Sequence, residues 1–348
     1  MCTPGIFFEN KYMEDSGRIF YLLMYSRNLF VLDFVRRFFV RCAQISEAYT
    51  HGVYVDEICV QLAENRPQKQ VQERLREYIL NQRRIFNMDY TTMSPKEVRA
   101  LIAKGEITGP TAGMCAGYAQ ANLVILPKDL AYDFLLFTQR NPRSCPLLEV
   151  SDTGSRFLRT IAKDADIATE IPRYRIYRDG VLDGEYTDIA SFWQDDFVSF
   201  LIGCSFSFES AMLEANVPVR HIEEGCNVPM YKTNIPCASA GIFHGNMVVS
   251  MRPIPYELIP RAVLITGEMP RVHGAPVHIG NPEHIGIHDL MHPDFGDMVT
   301  IREGEVPVFW PCGVTPQNVV MQSRPSLAIT HAPGHMLITD VKNVELKY

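Results

Sequence analysis

The chain has 348 residues, of which 47% are hydrophobic, and it carries a formal net charge of −7. This length predicts one large or two medium domains, and the apolar content is enough to bury a sizeable core. The acidic balance gives no footprint for nucleic acid, which favours a clustered basic surface. We therefore expect a globular protein without a nucleic-acid partner.

The nine cysteines are irregularly spaced and form no CxxC pair, which is typical of reduced thiols in the cytoplasm. No signal peptide of the usual build precedes the first apolar run. The apolar run at residues 19–40 contains Arg27, Asp33, Arg36 and Arg37, and several charges in mid-bilayer make a membrane span unfavourable. We expect a cytoplasmic protein with no membrane partner.

The composition changes near residue 92, where a nearly neutral segment gives way to one that carries the acidic excess. Helix breakers are sparse before this point, and apolar residues recur at helical spacing over residues 71–85. We predict a helical extension over residues 1–92 and a catalytic core over residues 93–348. The extension is either an arm for homo-oligomer or partner contacts, or a marginal segment that precedes a true start at Met93.

Local signals predict the elements of the core. Ser94 and Glu97 form a capping box at a helix start, Asp179-Gly180 marks a hairpin turn, and Pro260 kinks a helix or marks its true start. The predicted elements are a helix from Ser94 to Gly105, a strand over 121–126, a helix over 127–139, a hairpin over 174–186, strands over 197–202, 247–251, 306–310 and 327–330, and a helix over 256–266. Because strands alternate with helices, we expect an α/β fold in which helices flank a mixed sheet and a smaller α+β subdomain holds the hairpin.

The strand at 197–202 is followed by Gly203, Cys204 and Ser205, and then by an apolar segment that contains Glu209. This order is typical of a buried strand, a tight turn and a helix N-terminus, whose free N–H groups suit a carboxylate or an oxyanion. The alternative is an ordinary strand–helix unit with a buried cysteine. Polar loops are predicted to follow, and they would carry Arg220, His221, Thr233, Asn234, Cys237 and Arg252.

Several blocks after Met93 occur together in one order. They are GPTAG and QANLVILPK (109–113 and 120–128), DFLLFTQRNPRSCPLLEV (133–150), the stretch at 199–253, HGAPVHIGNPEHIGI (273–287), PVFWPCGVTPQ (307–317) and ITHAPGHMLITD (329–340). In these blocks the chain resembles the hydro-lyase family that includes D-glutamate cyclases. The resemblance implies a lyase that closes D-glutamate to 5-oxo-D-proline with loss of water and without an organic cofactor.

The implied reaction needs a cation for the α-carboxylate, a proton carrier for the ammonium group, and donors for the γ-carboxylate oxygen. Arg220 and Arg252 suit the first role, although each could instead form a surface ion pair. His221, His331 and Glu209 are the candidate bases and acids. The remaining candidates for substrate binding are Cys204, Ser205, Thr233 and Asn234. His331 and His335 follow a strand, which predicts imidazoles at the rim of a sheet.

Several alternative interpretations of the site and of the function remain. No P-loop, dinucleotide fingerprint, HExxH or GxSxG motif occurs, so ATP use, hydride transfer and serine hydrolysis lack support.

Cys204 could be a nucleophile, but a cysteine after an apolar strand is more often buried. A divalent metal site or a polar loop could explain the histidines and aspartates between 273 and 297, namely His273, His278, His284, His288, His292, Asp289, Asp294 and Asp297. The alternative functions are a hydratase or dehydratase of a small hydroxy acid, with or without a metal, and a non-catalytic ligand-binding regulator.

Overall fold

The computed structural model describes residues 89–347 of the chain. The helical extension, apart from its last four residues, and the apolar run at 19–40 lie outside this range, so the predictions about them stay predictions. Within the described range, no helix is long and apolar enough to cross a membrane.

The described residues form helices and strands that we number in chain order. The helices are α1 (Pro95–Ala103), α2 (Lys128–Arg140), α3 (Phe206–Glu214), α4 (Arg220–Glu224), α5 (Ile259–Gly267) and α6 (Thr315–Ser323). The strands are β1 (Tyr118–Pro127), β2 (Leu147–Val150), β3 (Tyr174–Arg178), β4 (Val181–Tyr186), β5 (Phe197–Gly203), β6 (Met230–Pro236), β7 (Asn246–Pro255), β8 (His278–Ile279), β9 (Glu305–Pro311), β10 (Ala328–His331) and β11 (Leu337–Lys342).

The strands form two sheets. Seven strands make the larger one, in the order β2-β5-β1-β10-β3-β4 with β11 also pairing with β1, and four make the smaller one, in the order β6-β7-β9-β8. The strand pairs within the described range are antiparallel. Helices accompany both sheets, so the α/β class is confirmed. The hairpin β3–β4 lies at the edge of the larger sheet, and the smaller subdomain predicted to hold it stays a prediction.

Local chemistry explains the elements that the sequence predicted. Ser94 accepts from the Glu97 amide at 3.4 Å and donates its own amide to the Glu97 carboxylate at 3.1 Å, which is a capping box. Asp179 and Gly180 both have positive φ, at 50° and 77°, as a two-residue hairpin turn requires. Helix α5 begins next to Pro260, so that proline marks the helix start.

Two apolar layers cover the faces of the larger sheet. Along β1, Leu123 and Ile125 point into one layer, whereas Val124 and Leu126 point into the other. Burial on both faces explains why β1 reads as a continuous apolar run instead of alternating. A third layer, which contains Phe208 of α3, packs between that helix and strands of the smaller sheet.

Of the residues predicted to lie in polar loops after α3, Cys237 does lie in a loop, between β6 and β7, but the others do not. Arg220 and His221 begin α4, Thr233 and Asn234 lie in β6, and Arg252 lies in the middle of β7. Charged residues usually indicate a loop because burial of an unpaired charge is costly. Here Arg252 is buried in a strand because a carboxylate from a distant helix pairs with it.

Candidate active site

Arg252 is the centre of a buried polar cluster. Its Nε donates to Oε1 of Glu209 at 3.1 Å, and its Nη2 contacts the same oxygen. Nη2 also donates to Oγ of Ser205 at 3.2 Å, and Nη1 donates to Oγ of Ser250 at 3.0 Å. All four side chains are buried. The cluster therefore joins β7 to the turn before α3 and to α3 itself.

Two aromatic rings enclose the guanidinium group. The Arg252 guanidinium carbon lies 5.1 Å from the ring centroid of Phe208 and 5.5 Å from that of Trp310. At these distances the ring faces attract a cation, and more strongly when water is excluded. The aromatic contacts and the Glu209 carboxylate together allow a full positive charge inside the protein.

Glu209 also approaches an imidazole. Its Oε1 lies 3.2 Å from Nε2 of His221, although the two are not aligned for a hydrogen bond. The His221 ring stacks on Phe206, with 6.0 Å between centroids. Burial alone would raise the pKa of Glu209, but the charges of His221 and Arg252, together with the hydrogen bonds from Arg252, outweigh it and lower the pKa to about 2. Glu209 thus stays ionised at neutral pH and supplies a fixed charge, because so weak a base moves few protons.

The first turn of α3 uses the amide groups that the sequence analysis assigned to an oxyanion. The Phe206 amide donates to Sγ of Cys204 at 3.5 Å, and the amides of Ser207 and Phe208 donate to backbone carbonyls. The free donors are instead hydroxyls. Ser205 and Ser250 each accept from Arg252, so the hydrogen of each hydroxyl can point to a substrate oxygen.

Cys204 is buried and belongs to an apolar cluster that also contains Phe206, Met230 and Cys312. Burial raises the pKa of its thiol far above the usual range, and burial raises the pKa of Cys312 to about 11. A protonated thiol is a poor nucleophile. The geometry therefore favours packing for Cys204. Cys237 is buried as well, and Cys226 is half-buried.

Arg220 lies in a separate ion-pair network. It donates to Glu305 at 2.5 Å, to Glu223 at 2.9 Å and to the Thr300 carbonyl at 3.1 Å. All three of its guanidinium nitrogens are thus committed to protein groups. The structure does not bring Arg220 to the Arg252 cluster, although His221 is its neighbour in sequence.

Thr233 and Asn234 are also directed elsewhere. The Thr233 hydroxyl donates to the Met247 carbonyl at 2.7 Å and accepts from the Ile235 amide at 3.2 Å, which supports the β6–β7 pair. Asn234 is exposed and lies against Gly286. Neither side chain has a contact with the Arg252 cluster.

His331 is buried within the larger sheet and not at an open rim. Its Nδ1 accepts from the backbone amide of Leu123 at 3.1 Å. Strand β1 pairs with β11 at Ala121 and with β10 at Val124. Leu123 lies between these two pairings, and the His331 imidazole takes the place of a strand partner for its amide. Burial lowers the pKa of His331 to about 3.

The histidines between 273 and 292 do not converge. The rings of His278 and His284 lie 5.9 Å apart, and exposed His292 pairs with Asp289 at 2.6 Å. Buried His273 contacts the Arg143 carbonyl instead. Among residues 89–347, no group of three or more His, Cys, Asp or Glu side chains could hold a metal ion.

Ser250 was missed by the sequence analysis. It lies two residues before Arg252, and alternate residues of a strand share one face, so the Ser-x-Arg spacing on β7 was a usable signal. A cavity of about 270 Å³ at the edge of the larger sheet is lined by Ile176, Arg178, Trp193 and their neighbours. This cavity contains none of the predicted site residues.

Similar proteins identify the family. The sequence model of the D-glutamate cyclase family matches residues 198–340. A protein of Clostridium beijerinckii is 71% identical over 261 residues, which cover 75% of this chain and 100% of that protein. Relatives from Bacillus velezensis (64% identical, 73% of this chain and 96% of the relative) and Bacillus subtilis (63% identical, 73% and 99%) follow. All three carry the name "Putative hydro-lyase".

The chain belongs to this hydro-lyase / D-glutamate cyclase family, and the names in the family support a lyase. Among solved structures, a nitrogen repressor-like protein from Methanococcus jannaschii aligns with 70% of this chain and 97% of its own at 9% identity, with a TM-score of 0.29.

Proposed function

We propose that the protein cyclises D-glutamate to 5-oxo-D-proline with loss of water. The observation that carries the proposal is the buried cluster in which Arg252, Glu209 and His221 meet the hydroxyls of Ser205 and Ser250. The matching family is named for D-glutamate cyclase. A substrate with two carboxylates and an ammonium group needs a cation, a proton carrier and oxygen-directed donors, and the cluster contains all three.

The reaction is a condensation without oxidation or reduction. The bond between the substrate nitrogen and the γ-carbon forms, and one bond between that carbon and oxygen breaks. Two protons leave the ammonium nitrogen and end on the departing oxygen, which becomes water. The protein therefore has to move protons between two substrate atoms and stabilise the oxyanion between them.

The cluster divides these tasks. Four hydrogen bonds from Arg252 go to Glu209, Ser205 and Ser250, and a guanidinium has five N–H groups, so one N–H is left for a substrate oxygen. The hydroxyls of Ser205 and Ser250 add neutral donors beside it. The His221 imidazole lies 3.2 Å from Glu209, and we assign to it the transfer of protons to the departing oxygen.

The test is direct. Purified protein is incubated with D-glutamate or L-glutamate, with and without EDTA, and 5-oxoproline is quantified by chiral chromatography. We expect 5-oxo-D-proline from D-glutamate, with or without the chelator, and little product from L-glutamate. No product from either enantiomer, together with no hydrolysis of 5-oxo-D-proline, would rule the proposal out.

A matched variant assigns any activity to the cluster. Arg252→Met with Glu209→Gln removes both charges of this ion pair and roughly keeps the volume, so neither partner of the pair is left as an unpaired charge. We expect this double variant to fold with a similar urea midpoint and to lose turnover. If it keeps full activity, the reaction occurs elsewhere on the protein.

The name of the relatives supports a second candidate, the reversible dehydration of a small hydroxy acid. The same arginine and hydroxyls would hold its carboxylate. Incubation with a panel of hydroxy diacids, followed at the ultraviolet absorption of an unsaturated product, separates this candidate from cyclisation. Calorimetric binding of D-glutamate without conversion would instead indicate a ligand-binding protein.

A further inference from the structure

Helix α5 and the residues at its two ends present one stripe of side chains to solvent. The exposed positions recur at helical spacing and form what we call the outer face of α5: Glu257, Pro260, Arg261, Leu264, Gly267 and Glu268. Leu264 lies at the centre of this face and is 71% exposed. A single exposed leucine needs no partner, so the case for a partner depends on the charges around it.

The opposite face of α5 is fixed to the candidate active site. Ala262 and Thr266 lie one turn apart on it, and both are buried. The Thr266 hydroxyl donates to the Ala262 carbonyl at 2.8 Å and accepts from Nε1 of Trp310 at 3.0 Å. Trp310 is one of the two rings that enclose the Arg252 guanidinium group. The outer face therefore belongs to a helix whose position is set by the protein interior.

The segment that follows α5 is held by its main chain. It forms the single turn Pro270–Val272. A Cβ added at Gly203, the last residue of β5, would overlap the Arg271 carbonyl oxygen, so this turn lies directly against the backbone of β5. The side chain of Arg271 is exposed, and it is thus presented from a backbone of fixed position, like the side chains of the outer face.

The charges along this stretch alternate in sign around Leu264. In chain order they are Glu257, Arg261, Glu268 and Arg271, and Leu264 lies midway between them. All four are exposed. A two-fold axis at Leu264 would reverse the order in a second copy, so that Arg261 faces Glu268 of the second copy and Glu257 faces Arg271 of the second copy. The surface is therefore complementary to itself, as a two-fold interface requires.

Arg261 and Glu268 can each take a further partner. Nη1 of Arg261 donates to the Ala215 carbonyl at 2.9 Å, and a guanidinium has five N–H groups. Oε2 of Glu268 accepts from Lys347 at 3.0 Å, which leaves Oε1 for another donor. The two residues are seven positions apart, which places them about 10 Å apart along the helix axis, with Leu264 between them.

We propose that a second copy of this chain binds along the outer face of α5, with the two helices antiparallel across a two-fold axis at Leu264. Leu264 of each copy packs against the other helix, and two Arg261–Glu268 pairs flank the contact. Stable interfaces bury about 800 Å² on each partner, and one short helix supplies less, so the dimer is a reversible one. The inference is independent of the proposed reaction.

Sedimentation velocity of the full chain over a concentration series tests the association. We expect a monomer–dimer equilibrium with a midpoint below about 100 µM, because micromolar affinity is the weak end for specific interfaces. Leu264→Glu places two carboxylates at the axis and should weaken the dimer at least about tenfold. Its urea midpoint should hold because the side chain is exposed. The control is Tyr132→Glu, at a residue of α2 that is 73% exposed, which should leave the dimer intact.

Charge reversal tests the antiparallel geometry. Arg261→Glu and Glu268→Arg each place like charges opposite one another, so each variant alone should dimerise at least about tenfold more weakly than the wild type. An equal mixture of the two restores an acid–base pair at both ends of the contact and should form a heterodimer. The inference is overturned by a wild type that stays monomeric up to about 100 µM, by a dimer that survives Leu264→Glu or either charge reversal, or by a mixture that associates no better than the two variants alone.

Discussion

Nη2 of Arg220 donates to Oε1 of Glu305 at 2.5 Å, and the two side chains are 1% and 6% exposed. This ion pair links the first residue of α4, the helix that carries His221, to the first residue of β9. Arg220, which was predicted from the sequence to bind the substrate carboxylate, therefore has a structural role. Loss of one partner would leave a buried charge without compensation.

We expect Arg220→Met to lower the free energy of unfolding by about 3–5 kcal/mol, because Glu305 is left unpaired. The measurement is urea denaturation followed by circular dichroism. Arg220→Met combined with Glu305→Gln removes both charges and should recover most of the loss. An unchanged urea midpoint accompanied by a raised KM would instead place Arg220 at the substrate.

His331→Ala should destabilise the protein without a specific effect on turnover. It removes the acceptor of the Leu123 amide, and a buried amide left unpaired costs about 1–3 kcal/mol. His331→Asn offers an oxygen in a similar place and should recover part of the loss. Urea denaturation and kcat measured on the same samples check this. A normal urea midpoint with kcat reduced a hundredfold would contradict the structural role.

Cys204→Ser should keep most of the activity, since burial holds the thiol protonated and a protonated thiol does not attack a carboxylate. The polar hydroxyl should cost some stability in the apolar cluster. Steady-state kinetics and the rate of alkylation by iodoacetamide test the point. Complete loss of turnover in a folded variant, or rapid alkylation of Cys204 at pH 7, would show that the thiol is reactive.

Stability should fall as the pH drops below about 6.5. His273 and His331 have folded pKa values of about 4 and 3 against 6.5 unfolded, so between these values the unfolded chain binds more protons. Each histidine then costs about 1.4 kcal/mol per pH unit in that window. Glu209 acts only below its unfolded value of 4.5, because its folded pKa is lowered.

Urea midpoints measured at pH 7, 6 and 5 check the histidine contribution. His273→Asn should reduce the pH slope, because one of the two buried neutral rings is gone. A midpoint that stays constant from pH 7 to pH 5 would show that these rings are not neutral and buried in solution.

A chain that starts at Asp89 should fold alone, and one that starts at Met93 should be less stable. The carbonyls of Tyr90 and Thr91 accept from the amides of Cys115 and Ala116 at 2.8 and 2.7 Å, and the shorter chain loses both bonds. Thermal melting of the two truncated proteins checks this. An insoluble or non-cooperative product from Asp89 onward would show that the preceding residues are required.

Features that depend on neighbouring residues could be predicted from the sequence. The capping box of Ser94 and Glu97 and the turn at Asp179-Gly180 are set within a few positions, because the groups that satisfy each other are close in the chain. The apolar run of β1 and the turn between β5 and α3 follow from local patterns in the same way.

Features that depend on distant residues could not be predicted. Arg252 meets Glu209 across 43 positions, and His331 meets Leu123 across 208. A single sequence does not indicate which charged residues pair in the fold. The sequence pattern therefore predicted a loop position for Arg252, which is buried in a strand, and a catalytic role for His331, which accepts a backbone hydrogen bond.

The close approach at Gly203 fixes a distance by main chain alone. Because the Arg271 carbonyl leaves no room for a Cβ there, strand β5 and the turn before His273 touch backbone to backbone. Changes in the surrounding side chains therefore cannot lengthen or shorten that separation. The separation between the end of β5 and the segment that leads to His273 is therefore set by contact between two main chains.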